Sequence, residues 1–208
     1  MFEIIGVSKH YDGLCAVNEV SFQIHDKERV SIQGESGCGK STLLRMIAGL
    51  LVQDEGEIRR NGEILPEDPH LRGVSMVFQD SLLWNHMTVQ ENILFGSGKK
   101  SRAERTGQAE ELAETFGIKE LLKRYPNQIS GGQARRAAIA RALACERALL
   151  LLDEPFSNLD PDWKERTMEG VRLKCAGNCA ILLVTHNRNE AEKLCNTHYR
   201  MEAGRLIL

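Results

Sequence analysis

Apolar and polar positions change rhythm twice along this chain. Up to about residue 79 the apolar residues fall in short, strand-like runs: "RVSIQ" (29–33), "GEIRRNGEIL" (56–65) and "GVSMVFQ" (73–79). Asn61-Gly62 divides the second run and predicts a tight hairpin, because both residues tolerate the left-handed backbone of a two-residue turn. From Thr88 to Arg147 the spacing is helical. "SRAERTGQAEELAETF" sets Ala109, Leu112, Ala113 and Phe116 on one face, and "GGQARRAAIARALACE" is rich in strong helix formers. Strands then return. "ALLLLDE" (148–154) and "CAILLVTH" (179–186) are continuous apolar runs, as in strands buried on both faces. Helical text lies between them, from Pro161 to about Cys175. Two buried strands with a helical crossover predict a parallel sheet, so the expected class is α/β with a helical insert.

Composition narrows the function classes. The 208 residues suffice for one domain with a subdomain, and 42% hydrophobic with 27% charged residues reads as soluble and globular. The net charge of −2 is spread along the chain, so no general basic surface points to a nucleic-acid partner. No apolar run approaches the ~18 residues of a membrane span. The start "MFEIIGVSKHYDG" lacks the pattern of a signal peptide, so any membrane role is expected to be peripheral. The six cysteines form no framework and read as reduced thiols. Cys175 and Cys179 lack the second ligand pair that a metal site needs.

Candidate chemistry begins at "GESGCGKST" (34–42). Gly34, Gly39, Lys40 and Ser41 fit G-x-x-x-x-G-K-[ST] between a predicted strand and a predicted helix. Glycines let backbone N–H groups curl around phosphate oxygens, and the helix N-terminus adds a favourable dipole. Lys40 would neutralise the β and γ phosphates, and Ser41 would give its hydroxyl to Mg2+. The candidate nucleotide-binding residues are thus Gly34, Glu35, Ser36, Gly37, Cys38, Gly39, Lys40, Ser41 and Thr42. At the end of "LLLLDEP", Asp153 would hold Mg2+ and Glu154 would act as general base toward water.

"ISGGQ" (129–133) sets a serine and two glycines before a helix, a second anion-binding arrangement. It resembles the LSGGQ signature, and the ordered motifs over nearly the whole chain resemble the ATPase subunit of an ATP-binding cassette (ABC) transporter. That resemblance implies a P-loop (RecA-like) core with a mainly parallel sheet, an N-terminal antiparallel β subdomain and an inserted α-helical subdomain. Residues 1–208 would form one ABC ATPase domain, with 1–79 and 148–208 as core and 80–147 as helical subdomain. By the same resemblance Ser130, Gly131, Gly132 and Gln133 would cap the γ-phosphate of ATP held by a second ATPase subunit, in a head-to-tail dimer. Tyr11 would stack on adenine, Gln79 would contact Mg2+ and water, Asp160 would couple the two sites, and His186 would contact the γ-phosphate. Gln79, Lys40, Glu154 and His186 would form the catalytic set, with Ser41, Gln79 and Asp153 around the metal.

Three positions depart from the family pattern: Ile129 for leucine, Asn158 where alanine is common, and Asn187 where aspartate is common. None removes a group that the chemistry needs. The expected function is ATP hydrolysis powering import of a small solute at the cytoplasmic face of a membrane. Its implied partners are integral membrane permease subunits, a homologous or identical second subunit and an extracytoplasmic solute-binding protein. "VFQDSLLWNHMTVQENILFG" (77–96) resembles the corresponding stretch of such importers. There Leu82, Leu83, Trp84 and Met87 either meet the permease or pack inside the helical subdomain. The chain ends soon after "GRLIL", so sensing by an added C-terminal domain is not expected. A separate-subunit exporter, a lipoprotein-release system and a soluble ABC ATPase of iron–sulfur assembly share the same ATP motifs.

Overall fold

Strand β1 (Phe2–Tyr11) turns at Asp12-Gly13 into β2 (Leu14–Ile24), with φ of 45° and 85° at the two turn residues. Their left-handed backbone is that of a two-residue hairpin turn. The computed structural model describes residues 1–97, 101–177 and 179–207. β4 (Glu55–Arg60) and β5 (Glu63–Ile64) turn at Asn61-Gly62, as their sequence predicts, with φ of 52° and 84°. These four strands form an antiparallel sheet in the order β2-β1-β4-β5. Val20, Phe22 and Ile24 alternate inward along β2, the period of a half-buried strand.

The second sheet has six strands. They are β3 (Arg29–Gln33), β6 (Val74–Val77), β7 (Leu149–Asp153), β8 (Ala180–Thr185), β9 (Thr197–Glu202) and β10 (Arg205–Ile207). Their order is β10-β9-β3-β8-β7-β6. The pairs β9–β3, β3–β8 and β8–β7 are parallel, and only β9–β10 is an antiparallel hairpin among the pairings described. Every residue of β7 and β8 is buried, which explains their uninterrupted apolar text. β6 stops at Val77 and not at Gln79, because the carbonyls of Phe78 and Gln79 accept from Arg135 instead of a neighbouring strand.

The chain divides into two compact units. The first holds both sheets' central strands and comprises residues 1–76, 148–154 and 177–208. Its core packs Ile4, Val20, Ile32, Leu43, Ile47, Leu151 and Leu182. It also contains α1 (Lys40–Ala48) and α6 (Arg188–Leu194). The second unit comprises 77–147 and 155–176, so it includes the segment read as a helical insert and also α5 (Pro161–Cys175). Its other helices are α2 (Val89–Gly96), α3 (Arg102–Thr115) and α4 (Gly131–Ala144). Ala109, Leu112, Ala113 and Phe116 are buried, as the helical period requires.

A buried arginine closes a helix in each unit. In the first, Arg72 donates to the carbonyls of Met46 (2.7 Å), Ile47 (3.2 Å) and Pro66 (2.6 Å), at the C-terminal end of α1. A cation there also meets the negative end of the helix dipole. Gly49 makes room for it, since a Cβ at that position would lie 2.5 Å from the Arg72 Nε. In the second unit Arg136 donates to Phe116 (2.6 Å) and Gly117 (3.0 Å) beyond α3, and its guanidinium stacks 3.7 Å from the Trp163 ring centroid. Burial lowers the pKa of both arginines, yet leaves them cations across the physiological range. Arg72→Met strips three carbonyls of their buried donor, so the chain should lose about 2–3 kcal/mol of stability in denaturant melts, with Arg72→Lys recovering only part.

Candidate functional site

Parallel register sets the site. Gln33 pairs with Thr185 and Asp153 with Val184, so β3, β8 and β7 all end at one edge of the sheet. The glycine-rich loop, Asp153-Glu154 and Thr185-His186 leave from these carboxyl ends, where open α/β sheets bind ligands.

The loop from Gly34 to Gly39 is pressed against other backbone. A Cβ at Gly34 would lie 2.3 Å from the Met201 carbonyl oxygen, and one at Gly39 would lie 2.1 Å from that of Ala16. Gly39 also has φ of 108°, so it needs glycine for both space and conformation. The β9–β10 hairpin braces the loop further: Gly204 N donates to the Cys38 carbonyl at 3.1 Å. Glu35, Ser36 and Gly37 stay exposed at the loop's tip. Gly39 offers no side-chain cap to α1, so the first N–H groups of that helix carry no side-chain acceptor. A helix start of this kind suits an anion.

Lys40 opens α1 and is buried; its Nζ donates to the carbonyls of Gly34 (2.8 Å) and Glu35 (2.7 Å). The loop's own oxygens thus hold the ammonium across its mouth. Next to it, Ser41 Oγ donates to Asp153 Oδ1 at 3.0 Å. Asp153 is only 2% exposed, and burial raises its pKa, partly offset by the Ser41 hydroxyl. A buried carboxylate of this kind favours a compensating cation. Thr42 follows on the first turn of α1.

Glu154 lies just past β7 with φ of 46°, held there by its N–H on the Val184 carbonyl (2.9 Å). Its Oε1 accepts from the His186 backbone N and side-chain Nδ1, each at 2.9 Å. An ionised carboxylate only accepts, so Nδ1 carries the proton and Nε2 is the imidazole's acceptor nitrogen when neutral. The carboxylate side chain is 15% exposed and the imidazole 69%, so the pair opens to solvent on the histidine's side. Thr185 Oγ1 lies 3.3 Å from Glu154 Oε2 and 2.8 Å from Glu190 Oε2. In the sequence Thr185 and Glu190 look like a strand end and a helix surface, and no local pattern marks Ala16, Met201 or Gly204, whose role is visible only in the folded chain.

Tyr11 ends β1 with an exposed ring, 5.9 Å from Lys9 Nζ. The remaining sequence-predicted residues belong to the second unit. The Gln79 side chain is exposed while its carbonyl accepts from Arg135. Ser130 and Gln133 form a reciprocal capping box on α4, with Ser130 N to Gln133 Oε1 at 2.8 Å and Gln133 N to Ser130 Oγ at 3.3 Å. Gly131 has no neighbour within 4 Å of a Cβ position, so this helix start lies open. Asp160 caps α5 through the Trp163 N–H at 3.1 Å. Two departures from the family pattern have local reasons. Asn158 has φ of 63°, which asparagine tolerates better than alanine, and Asn187 caps α6 by accepting from the N–H groups of Asn189 and Glu190. In the 82–87 segment Leu82 is exposed and Trp84 packs edge-on to exposed Phe95 (4.2 Å) beneath Arg141, while Leu83 and Met87 are partly buried.

Comparisons with known proteins place the chain in a family. The family described as ABC transporter matches residues 17–157. The chain is 39% identical to the putrescine transport ATP-binding protein PotG of Escherichia coli (strain K12), covering 100% of this chain and 56% of that protein. It is 43% identical to the Fe(3+) ions import ATP-binding protein FbpC of Mesorhizobium japonicum, covering 91% and 54%. Against the sulfate/thiosulfate import ATP-binding protein CysA of Bordetella parapertussis it is 41% identical, covering 98% and 60%. The chain therefore spans little more than half the length of these relatives. Among solved structures it matches the dimeric ATP-binding cassette MJ0796 in a post-hydrolysis state bound to ADP and Pi. The TM-score there is 0.90 at 30% identity, covering 100% of this chain and 97% of that one. The fold is that of these cassettes, as the motifs imply.

Because Gly39 has neither room nor the backbone for a side chain, Gly39→Ala should cost about 2 kcal/mol or more in thermal or denaturant melts. It should also abolish binding of a fluorescent nucleoside triphosphate.

Proposed function

This chain belongs to the ABC transporter family, and from that premise we propose that it binds ATP with Mg2+, hydrolyses it and powers import of a small solute through separate membrane-spanning subunits. One observation carries this reading: Lys40, Ser41 and Asp153 cluster at an uncapped helix start, at the same sheet edge as the Glu154–His186 pair. The relatives named for import of iron and sulfate favour an importer over the exporter and soluble alternatives.

The donor set suits a hard divalent cation. Ser41 and Asp153 offer oxygen ligands 3.0 Å apart, one of them a buried carboxylate. Among the described residues no group of three His, Cys, Asp or Glu side chains is placed to hold a metal unaided. Mg2+ would then be shared between these two oxygens and the phosphates, as is usual for Mg2+. When bound it supplies charge neutralisation of the phosphates.

The chain's own residues do the rest. The loop N–H groups and Lys40 orient the triphosphate, Lys40 exchanging its loop carbonyls for phosphate oxygens. Glu154 takes a proton from the attacking water, and His186 fixes the carboxylate and presents Nε2 toward solvent. Tyr11 would stack on adenine, and Gln79 would reach the metal and water. Ser130, Gly131, Gly132 and Gln133 would cap the γ-phosphate bound by a second ATPase subunit, identical or closely related, with Asp160 coupling the two sites. The open start of α4 at Gly131 supports that role. Among the described residues no helix is long and apolar enough to cross a membrane, so the permease would be a separate partner. The chain would dock on it at the cytoplasmic face, with an extracytoplasmic solute-binding protein in the complex. The exposed Leu82, Trp84 and Phe95 offer an apolar contact for the permease.

Glu154→Gln keeps the shape of the base without its basicity. It should bind ATP, accumulate as a dimer in light scattering and lose turnover by about a hundredfold or more in phosphate-release assays; near-parent turnover would remove Glu154 from the role of base. Ser130→Arg should leave ATP binding to the single chain unchanged while preventing ATP-driven dimerisation, and a normal dimer would contradict the shared site.

A further inference from the structure

Thr185 is a wholly buried hydroxyl that ends an otherwise apolar strand, and Glu190 is a carboxylate only 3% exposed on α6. Burying either group is costly unless its hydrogen bonds are arranged. Valine would fill the Thr185 volume without that cost. The hydroxyl lies between three groups: it accepts from Asn187 N (3.0 Å) and faces Glu190 Oε2 (2.8 Å) and Glu154 Oε2 (3.3 Å). With the Asn187 N–H on one lone pair, the hydroxyl's single proton turns toward the two carboxylates. Glu190 is itself anchored, its backbone N donating to Asn187 Oδ1 at 3.3 Å.

We propose that Thr185 is a positioning residue for the reaction at Glu154, with Glu190 holding Thr185 in place. The inference rests on the reading of Glu154 as base. Glu154 is contacted at both oxygens, Oε1 by two short bonds from His186 and Oε2 by a longer one from Thr185 (3.3 Å), whose proton it shares with Glu190. The terminal torsion of a glutamate is otherwise broad, so contact at both oxygens is what sets its plane. The line from α6 through Glu190, Thr185 and Glu154 to His186 lies wholly in the first unit. It ties the orientation of the base to the helix that follows His186. A misaimed base slows the chemical step while leaving the phosphate cradle intact.

The test compares Thr185→Val with Thr185→Ser in the full chain, measuring kcat and KM for ATP and, separately, ATP affinity by titration. Thr185→Val should lower kcat about ten- to a hundredfold with KM and ATP affinity within about twofold of the parent, and Thr185→Ser should restore kcat to within about threefold. If the valine variant does not fold, Thr185→Ala against Thr185→Ser makes the same comparison, since both lack the methyl and only serine keeps the hydroxyl. Parent-like kcat without the hydroxyl overturns the proposal, and so does a loss that serine fails to rescue. Glu154→Gln separates the two readings. If it turns over like the parent, the base assignment falls and takes this inference with it. If it is inactive while Thr185→Val matches the parent, the positioning role alone falls.

Discussion

Parallel pairing of three buried strands is the constraint on which the candidate site depends. β8 and β7 are too apolar to face water on either side, so they pack inside one sheet, and β3, buried from Val30 to Ile32, pairs beside β8 and ends in register with them. The polar residues that follow each strand must then emerge together: Gly34 after β3, Glu154 after β7 and His186 after β8, with Asp153 closing β7 itself. The hydrophobic effect that buries the strands is non-directional, but the hydrogen-bonded register converts it into a fixed meeting place for chemistry.

Close backbone contact makes that meeting place rigid. The glycine loop is packed close against the carbonyls of Ala16 and Met201 and its Cys38 carbonyl accepts from the Gly204 N–H, so three distant segments share one small volume. Buried cations serve the same end elsewhere, Arg72 on the last carbonyls of α1 and Arg136 on those after α3. In each case a charged group is buried only where the backbone supplies acceptors, which offset the cost of desolvation.

Much of this was legible in the residues. Asn61-Gly62 announces its hairpin through its own backbone preferences, and Asp12-Gly13 carries the same signal, which the apolar rhythm alone did not use. The apolar face of α3 and the buried character of β7 and β8 follow from period and run length. The end of β6 was not legible: "GVSMVFQ" reads as strand to Gln79, but Arg135 takes the two carbonyls that would have continued it. Asn187 looks like a missing charge and proves to be a helix cap, because capping needs an oxygen acceptor and not a full charge.

By itself the sequence determined the kinds of element and the chemistry on offer: a glycine loop that a phosphate fits, an Asp-Glu pair after a buried strand and a histidine after another. Those properties are local, set by backbone preference and by a period that repeats within a few residues. Tertiary structure decided which of those groups touch. Ser41 and Asp153 lie 112 positions apart in the chain, and Glu154 and His186 lie 32 apart. Thr185 and Glu190 acquire meaning only beside Glu154, and Met201 and Gly204 only beside the loop they hold. Contacts of that kind depend on strand order and register, which the packing of the whole sheet selects and no short stretch of residues encodes.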